Sequence, residues 1–173
     1  LDIGANIGMT AYYFYKYFEK IYAVEPSTEH FQILTHMIEY NNLQDKIIPI
    51  NKAIYMKSGR YEFHHNPNKT MYSLHTAVSD GTPPELVHAI TIEDLLNEYK
   101  IDHVDLLKLD IEGSEHEVFG SESFKTVAPK IDIVITEYHS WSGRHPNQLK
   151  ESLKENGFDV RVIPSSADII VGV

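Results

Sequence analysis

The sequence predicts an α/β domain whose mostly parallel sheet is wound on both faces by helices, with an antiparallel strand near its C-terminal end. Three observations predict it. Short apolar runs alternate with helical stripes along the chain, the pattern of βαβ units. Ile131 to Thr136 is nearly all apolar, as in a strand covered on both faces. The last two runs, Phe158–Ile163 and Ile169–Val173, stand too close for a crossover helix, so one of them must run antiparallel.

The elements follow in order. Leu1-Asp2-Ile3-Gly4 reads as the tail of a strand entering a turn, so residues upstream of Leu1 are expected. Ile7, Ala11, Phe14, Tyr15 and Phe18 share a helical stripe, and the aromatic run Tyr12 to Tyr17 reads as packing rather than a cation box. Ile21–Val24 is a short strand. Ser27 caps a helix carrying Phe31, Leu34, Met37 and Ile38, which stops at Asn41-Asn42. Lys46–Ile50 is a third strand, and Tyr61 and Phe63 alternate with polar neighbours after the Ser58-Gly59 turn as an extra one. From about residue 66 to 87 the rhythm breaks around Pro67, Pro83 and Pro84, and a lid or substrate loop is expected there. Thr91 and Asp94 are placed as a capping box for a helix to Lys100. Val104–Ile111 is a strong strand, and Ser114 with Glu117 forms a second capping-box pattern. Pro146 fits a first helical turn and Gly157 a helix end.

At 173 residues the chain is the length of one domain, residues 1–173, able to bury a core without staples. No apolar run approaches the ~20 residues that span a bilayer, so no membrane partner is expected and the location is read as cytoplasmic. The net charge of −10 argues against a nucleic-acid partner. The chain has no cysteine, which excludes disulfide and thiol chemistry.

The chemistry concentrates at the start. Asp2-Ile3-Gly4-Ala5-Asn6-Ile7-Gly8 joins a strand to a helix. Gly4 permits a tight turn and close backbone approach, Gly8 lets the helix pack near the strand, and the helix N-terminus offers free N–H groups. Asn6 stands where a dinucleotide-binding loop has its middle glycine, which disfavours a pyrophosphate. Asp2 would repel a pyrophosphate yet favour a ligand carrying an ammonium group, which points to an amino-acid-bearing nucleotide. Glu25 ends the next strand, where a carboxylate can accept two hydrogen bonds from a ribose diol.

These residues resemble the class I S-adenosylmethionine-dependent methyltransferases. Leu-Asp-Ile-Gly-Ala-Asn-Ile-Gly looks like their first motif and Ala-Val-Glu-Pro-Ser like their acidic second. Val104-Asp105-Leu106-Leu107-Lys108-Leu109-Asp110-Ile111-Glu112-Gly113-Ser114-Glu115 resembles the segment that marks the FkbM family, as do Ile90 to Leu96 and Asn51-Lys52-Ala53. The resemblance covers most of the chain. It implies a Rossmann-like, seven-stranded sheet, S-adenosyl-L-methionine as cofactor, and O-methylation of a small molecule, sugar or glycan precursor. By position it places Gly4, Asn6 and Gly8 along the methionine and ribose, Glu25 on the ribose hydroxyls, and Asn51 and Ala53 near adenine. In open α/β sheets ligands lie beyond the strands' C-terminal ends, so Asp2, Glu25, Asp110 and Glu137 should converge there.

A hydroxyl acceptor must lose its proton as the methyl arrives. Asp110, Glu137 and His139 are the candidate catalytic residues, and His139 has the most suitable intrinsic pKa, near 6.5. Lys108, inside an apolar strand, needs an acidic partner such as Glu112 or Glu137. Glu112 and Glu115 are explained by a helix start. Asp110, Glu137 and His139 also form an O/N set, but neither Cys nor paired His spacing supports zinc, and no metal is expected. Two alternatives stand: a non-catalytic nucleoside-binding module of the same fold, and an NAD-linked oxidoreductase, which Asn6 disfavours.

Overall fold

The structure is a computed structural model and describes residues 1–66, 71–74, 83–139, 145–164 and 169–173. Its strands are β1 (Asp2–Ile3), β2 (Ile21–Val24), β3 (Ile47–Ile50), β4 (Ala53–Ile54), β5 (Gly59–Asn66), β6 (Met71–Ser73), β7 (Glu85–Ile90), β8 (Val104–Leu109), β9 (Ile131–Glu137), β10 (Val160–Ile163) and β11 (Ile169–Gly172). Its helices are α1 (Met9–Phe14), α2 (Thr28–Tyr40), α3 (Ile92–Tyr99), α4 (Glu115–Phe119), α5 (Glu122–Val127) and α6 (Pro146–Glu155).

The main sheet has seven strands in the order β10-β11-β9-β8-β1-β2-β3. Strands β3, β2, β1, β8 and β9 are parallel neighbours, and β11 lies antiparallel between β9 and β10. The strand alternation sorts the core into two layers. Ile21, Ala23 and Ile47 pack with Ala11, Leu34 and Ile38 on the α1/α2 face. Val24, Ile50, Leu107 and Leu109 pack with Leu95, Phe119, Phe124 and Leu153 on the other. From β1 the chain winds through β2 and β3 to one side, then restarts at β8 and winds to the other. The crevice where the winding reverses lies beyond the C-terminal ends of β1 and β8.

Several details differ from the sequence-based expectation. The first helix stops at Phe14 rather than Phe18, because its end tightens into an i−3 bond from Tyr17 N–H to Phe14 O at 2.9 Å. Phe14, Tyr15 and Phe18 pack against the core, while Tyr13 and Tyr17 are exposed. The Ser114 side chain makes no cap bond. Two helices follow it instead of one, since Ser121 accepts from Phe124 N–H at 3.1 Å and starts α5. The extra strand belongs to a second sheet, β4-β7-β5-β6. Its strand β7 takes in Glu85–Val87, the end of the expected lid; residues 67–70 and 75–82 of that stretch lie outside the described residues. The Thr91 cap forms, accepting from Asp94 N–H at 3.0 Å, while Ser58 donates to the Asp94 carboxylate and accepts from Thr91 N–H at 3.3 Å. Among the described residues no helix is long and apolar enough to cross a membrane.

Candidate functional site

A cleft opens at the crevice. Its floor is the turn after β1. Gly4 has φ 74°, Asn6 51° and Gly8 90°. A Cβ on Gly4 would stand 1.8 Å from the Asp110 carbonyl oxygen, so the residue is glycine because the turn lies against the end of β8. A Cβ on Gly8 would stand 2.5 Å from Met37 Cε and 2.6 Å from Leu34 Cδ1. Gly8 thus serves the contact of the turn with α2, not with a strand.

Glu25 ties this turn to the end of β2. Its Oε2 accepts from Asn6 N–H and its Oε1 from Ser27 N–H, both at 2.8 Å. Burial pushes its carboxyl up to about 7, against the pull of these two N–H groups and of Lys108. A carboxylate offers about four acceptor positions, so two remain for a diol. His30 Nδ1 lies 4.0 Å from Oε1 at this end of the cleft. Gly4, Asn6, Glu25, Ala53 and Asp110 line the cleft, with Phe63 and Leu74 reaching it from the second sheet.

Three residues expected to bind cofactor are not among those lining the cleft and act on residues that do. Gly8 packs on α2. Asn51 Nδ2 donates to Glu25 O at 2.9 Å and Pro26 O at 3.1 Å, fixing the loop after β2. Asp2 is buried and pairs with Lys108, whose Nζ is 3.3 Å from Asp2 Oδ1 and 3.4 Å from Asp110 Oδ2 and donates to Gly4 O at 3.3 Å. Asp2 and Asp110 are therefore the acids that pair with Lys108, where the sequence left Glu112, Glu137 or another acid open. Burial pulls the ammonium down, but the two carboxylates hold it above the usual lysine range.

Beyond β9, His139 is buried at 7% exposure, and it is not among the residues lining the cleft. Its Nδ1 lies 3.2 Å from Glu115 Oε1, and its Nε2 lies 3.4 Å from Glu112 Oε2 and 3.6 Å from Asp110 Oδ1. Burial lowers the imidazole, but Glu115, Glu112 and Asp110 outweigh it and hold it at about 9. The raised imidazole favours its charged form, packed among these acids behind the residues that line the cleft. Glu137, partly buried, is pushed upward by burial and by Asp110.

Sequence reasoning explained Glu112 and Glu115 away. Glu115 accepts from Ile111 N–H and Gly113 N–H at 2.9 Å each, bracing the turn after β8. Glu112 lines the cleft beside Asp110. Strand alternation gave no signal for it, because Glu112 lies in the turn after β8 with φ 56°. Among the described residues, Asp110, Glu115 and His139 bring possible metal-ligand atoms within 4.8 Å, as do His103, Asp105 and Asp132 at the N-terminal ends of β8 and β9. In the first group Glu115 stands in place of the Glu137 of the sequence-based set, and both its oxygens already accept backbone N–H groups.

A family model described as Methyltransferase FkbM domain matches residues 2–160. The chain belongs to the FkbM methyltransferase family. Among solved structures it is similar to the FkbM methyltransferase from Methylobacillus flagellatus, at 17% identity and TM-score 0.65 over 99% of this chain and 42% of that one. Precorrin-6y C5,15-methyltransferase from Geobacter metallireducens matches at 10% identity and TM-score 0.57, over 99% and 76%. A Streptococcus mutans protein solved in complex with SAH matches at 9% identity and TM-score 0.59, over 99% and 85%. No curated protein matches the chain. The cofactor of this family is S-adenosylmethionine, and the cleft fits it: Glu25 lines it and keeps acceptor positions for ribose hydroxyls. The NAD-linked alternative is set aside.

Proposed function

We propose that this FkbM domain transfers a methyl group from S-adenosylmethionine to a hydroxyl of a small molecule, sugar or glycan precursor. The observation that carries the reading is a cleft with a diol-accepting carboxylate, Glu25, at one end and further carboxylates after β8 at the other. The first suits a nucleoside, the second an acceptor whose proton must leave.

The bound cofactor supplies a methyl group on a cationic sulfur, a good leaving group. The chain's own task is then alignment and proton removal. Glu25 and the backbone of Gly4 and Asn6 would hold the nucleoside, and Ala53 and Phe63 would close on its apolar face. Holding both reactants in line can contribute roughly 7–11 kcal/mol, and a placed base a further ~10²–10⁴-fold. Lys108 and His139 hold the carboxylates around them in fixed places. A cytoplasmic location and the absence of a nucleic-acid partner remain part of this reading, and the net charge of −10 supports the second.

The test is a labelled-methyl assay over sugar and polyketide hydroxyl acceptors, with S-adenosylhomocysteine calorimetry on the same protein. Labelled ether product supports the reading. Tight S-adenosylhomocysteine binding with no product from any acceptor favours the non-catalytic nucleoside-binding module instead. No binding at all overturns both.

A further inference from the structure

We propose that Glu112 is the residue that takes the acceptor's proton, held in place from behind by the Glu115–His139 pair. The inference rests on the methyl-transfer reading above and names a residue that reading lacks.

Placement comes first. Asp110 and Glu112 lie just past the C-terminal end of β8, Glu112 in the turn that leads to α4, and both line the cleft. Glu112 has φ 56° and Gly113 φ 100°, two successive left-handed residues. For a residue with a Cβ that conformation is disfavoured and persists only where the surroundings enforce it. They do so here: the Glu115 carboxylate accepts from the N–H groups of Ile111 and Gly113, one on each side of Glu112. On the far side, Glu112 Oε2 is shut from solvent and faces His139 Nε2 at 3.4 Å, while the side chain stays 16% exposed. One oxygen is anchored on a buried cation, and the residue still borders the cleft.

The competing groups are committed elsewhere. Asp110 presents Oδ2 to Lys108 and Oδ1 to His139, so both its oxygens already face neighbouring side chains. His139 is already charged. Glu137 and His139 are not among the residues lining the cleft, and His30 sits at the Glu25 end. Glu112 is faced by His139, Asp110, Glu115 and Glu137. Burial and the three acids outweigh the imidazolium and keep its carboxyl up at about 7, close to the value at which a base both accepts a proton and releases it at neutral pH.

The step balances. The acceptor oxygen gives its proton to the Glu112 carboxylate as its bond to the methyl carbon forms. The carbon–sulfur bond breaks with its electron pair left on sulfur, and Glu112 returns the proton to solvent.

The experiment compares the wild-type chain with Glu112→Gln and Glu112→Asp. S-adenosylhomocysteine affinity by calorimetry should stay within ~3-fold in both, which also reports folding. In the labelled-methyl assay Glu112→Gln should lower kcat by ~10²–10⁴-fold with little change in KM and abolish the acidic limb of the pH profile near 7. Glu112→Asp, which keeps the carboxylate, should recover at least ~10-fold of that loss. In ligand-free protein carrying ¹³C-labelled glutamate, NMR should show side-chain carboxyls titrating near 7, one of which vanishes in Glu112→Gln and another in Glu25→Gln. An unchanged kcat in Glu112→Gln, a retained acidic limb, or no such carboxyl lost on that substitution overturns the proposal while methyl transfer stands. A wild-type chain inactive on every hydroxyl acceptor overturns methyl transfer, and the proposal with it.

Discussion

Replacing Lys108 by methionine removes the cation that joins three parts of the site. Its ammonium lies 3.3 Å from Asp2 Oδ1, 3.4 Å from Asp110 Oδ2 and 3.3 Å from the Gly4 carbonyl. Methionine keeps most of the side-chain volume, so packing changes little and the effect is electrostatic. Asp2 is the sensitive partner, since it is 4% exposed and both its oxygens are sealed from solvent. Breaking a buried pair by removing one partner costs about 3–5 kcal/mol. For a domain of ordinary stability, about 5–15 kcal/mol, that is a large share. With a urea m-value of about 2 kcal/mol/M, the unfolding midpoint should fall by about 1.5–2.5 M. Adding Asp2→Asn to Lys108→Met removes the stranded charge and should recover about half of the loss. A single-variant midpoint within ~0.3 M of wild type would refute the reasoning. So would a double variant no better than the single one.

Three further outcomes follow from the geometry. Gly4→Ala places a Cβ 1.8 Å from a backbone oxygen at φ 74° and should destabilise by roughly 2–4 kcal/mol, read by urea unfolding, and weaken S-adenosylhomocysteine binding at least ~10-fold by calorimetry. The proposed ribose contact needs ionised Glu25, so S-adenosylhomocysteine affinity should fall as pH drops below about 7, and Glu25→Gln should lower the affinity and flatten that dependence. Stability should decline with rising pH in two windows. Glu25 and Glu112 are raised from 4.5 to about 7, so the stability they add is full below 4.5 and gone above 7. His139 is raised from 6.5 to about 9, so its contribution is lost between those values, and His139→Gln should flatten the urea midpoint from pH 7 to 9.

The layers of the fold were legible because period and length are local properties. Ile21–Val24, Ile131–Thr136 and the stripe through Leu34 and Ile38 name their own faces, and the close spacing of the last two strands forces an antiparallel neighbour. The second sheet was not legible. Strand β4 is two residues long and β7 follows Pro83-Pro84, so neither carries enough pattern to separate it from a loop, and their pairing spans a long stretch of chain.

The sequence by itself determined which chemical groups stand at the strand ends: the Gly4–Gly8 turn, Glu25, and the carboxylates at 110 and 137. It did so because strand termini and glycine turns are written in adjacent residues. Tertiary structure alone decided which of these groups keeps a charge and which faces the cleft. Asp2 and Lys108 meet across paired strands, and His139 comes between Glu112 and Glu115 from a neighbouring strand. An imidazole with a free pKa suited to a base becomes a fixed cation among three acids, since charge state depends on neighbours in space and on burial.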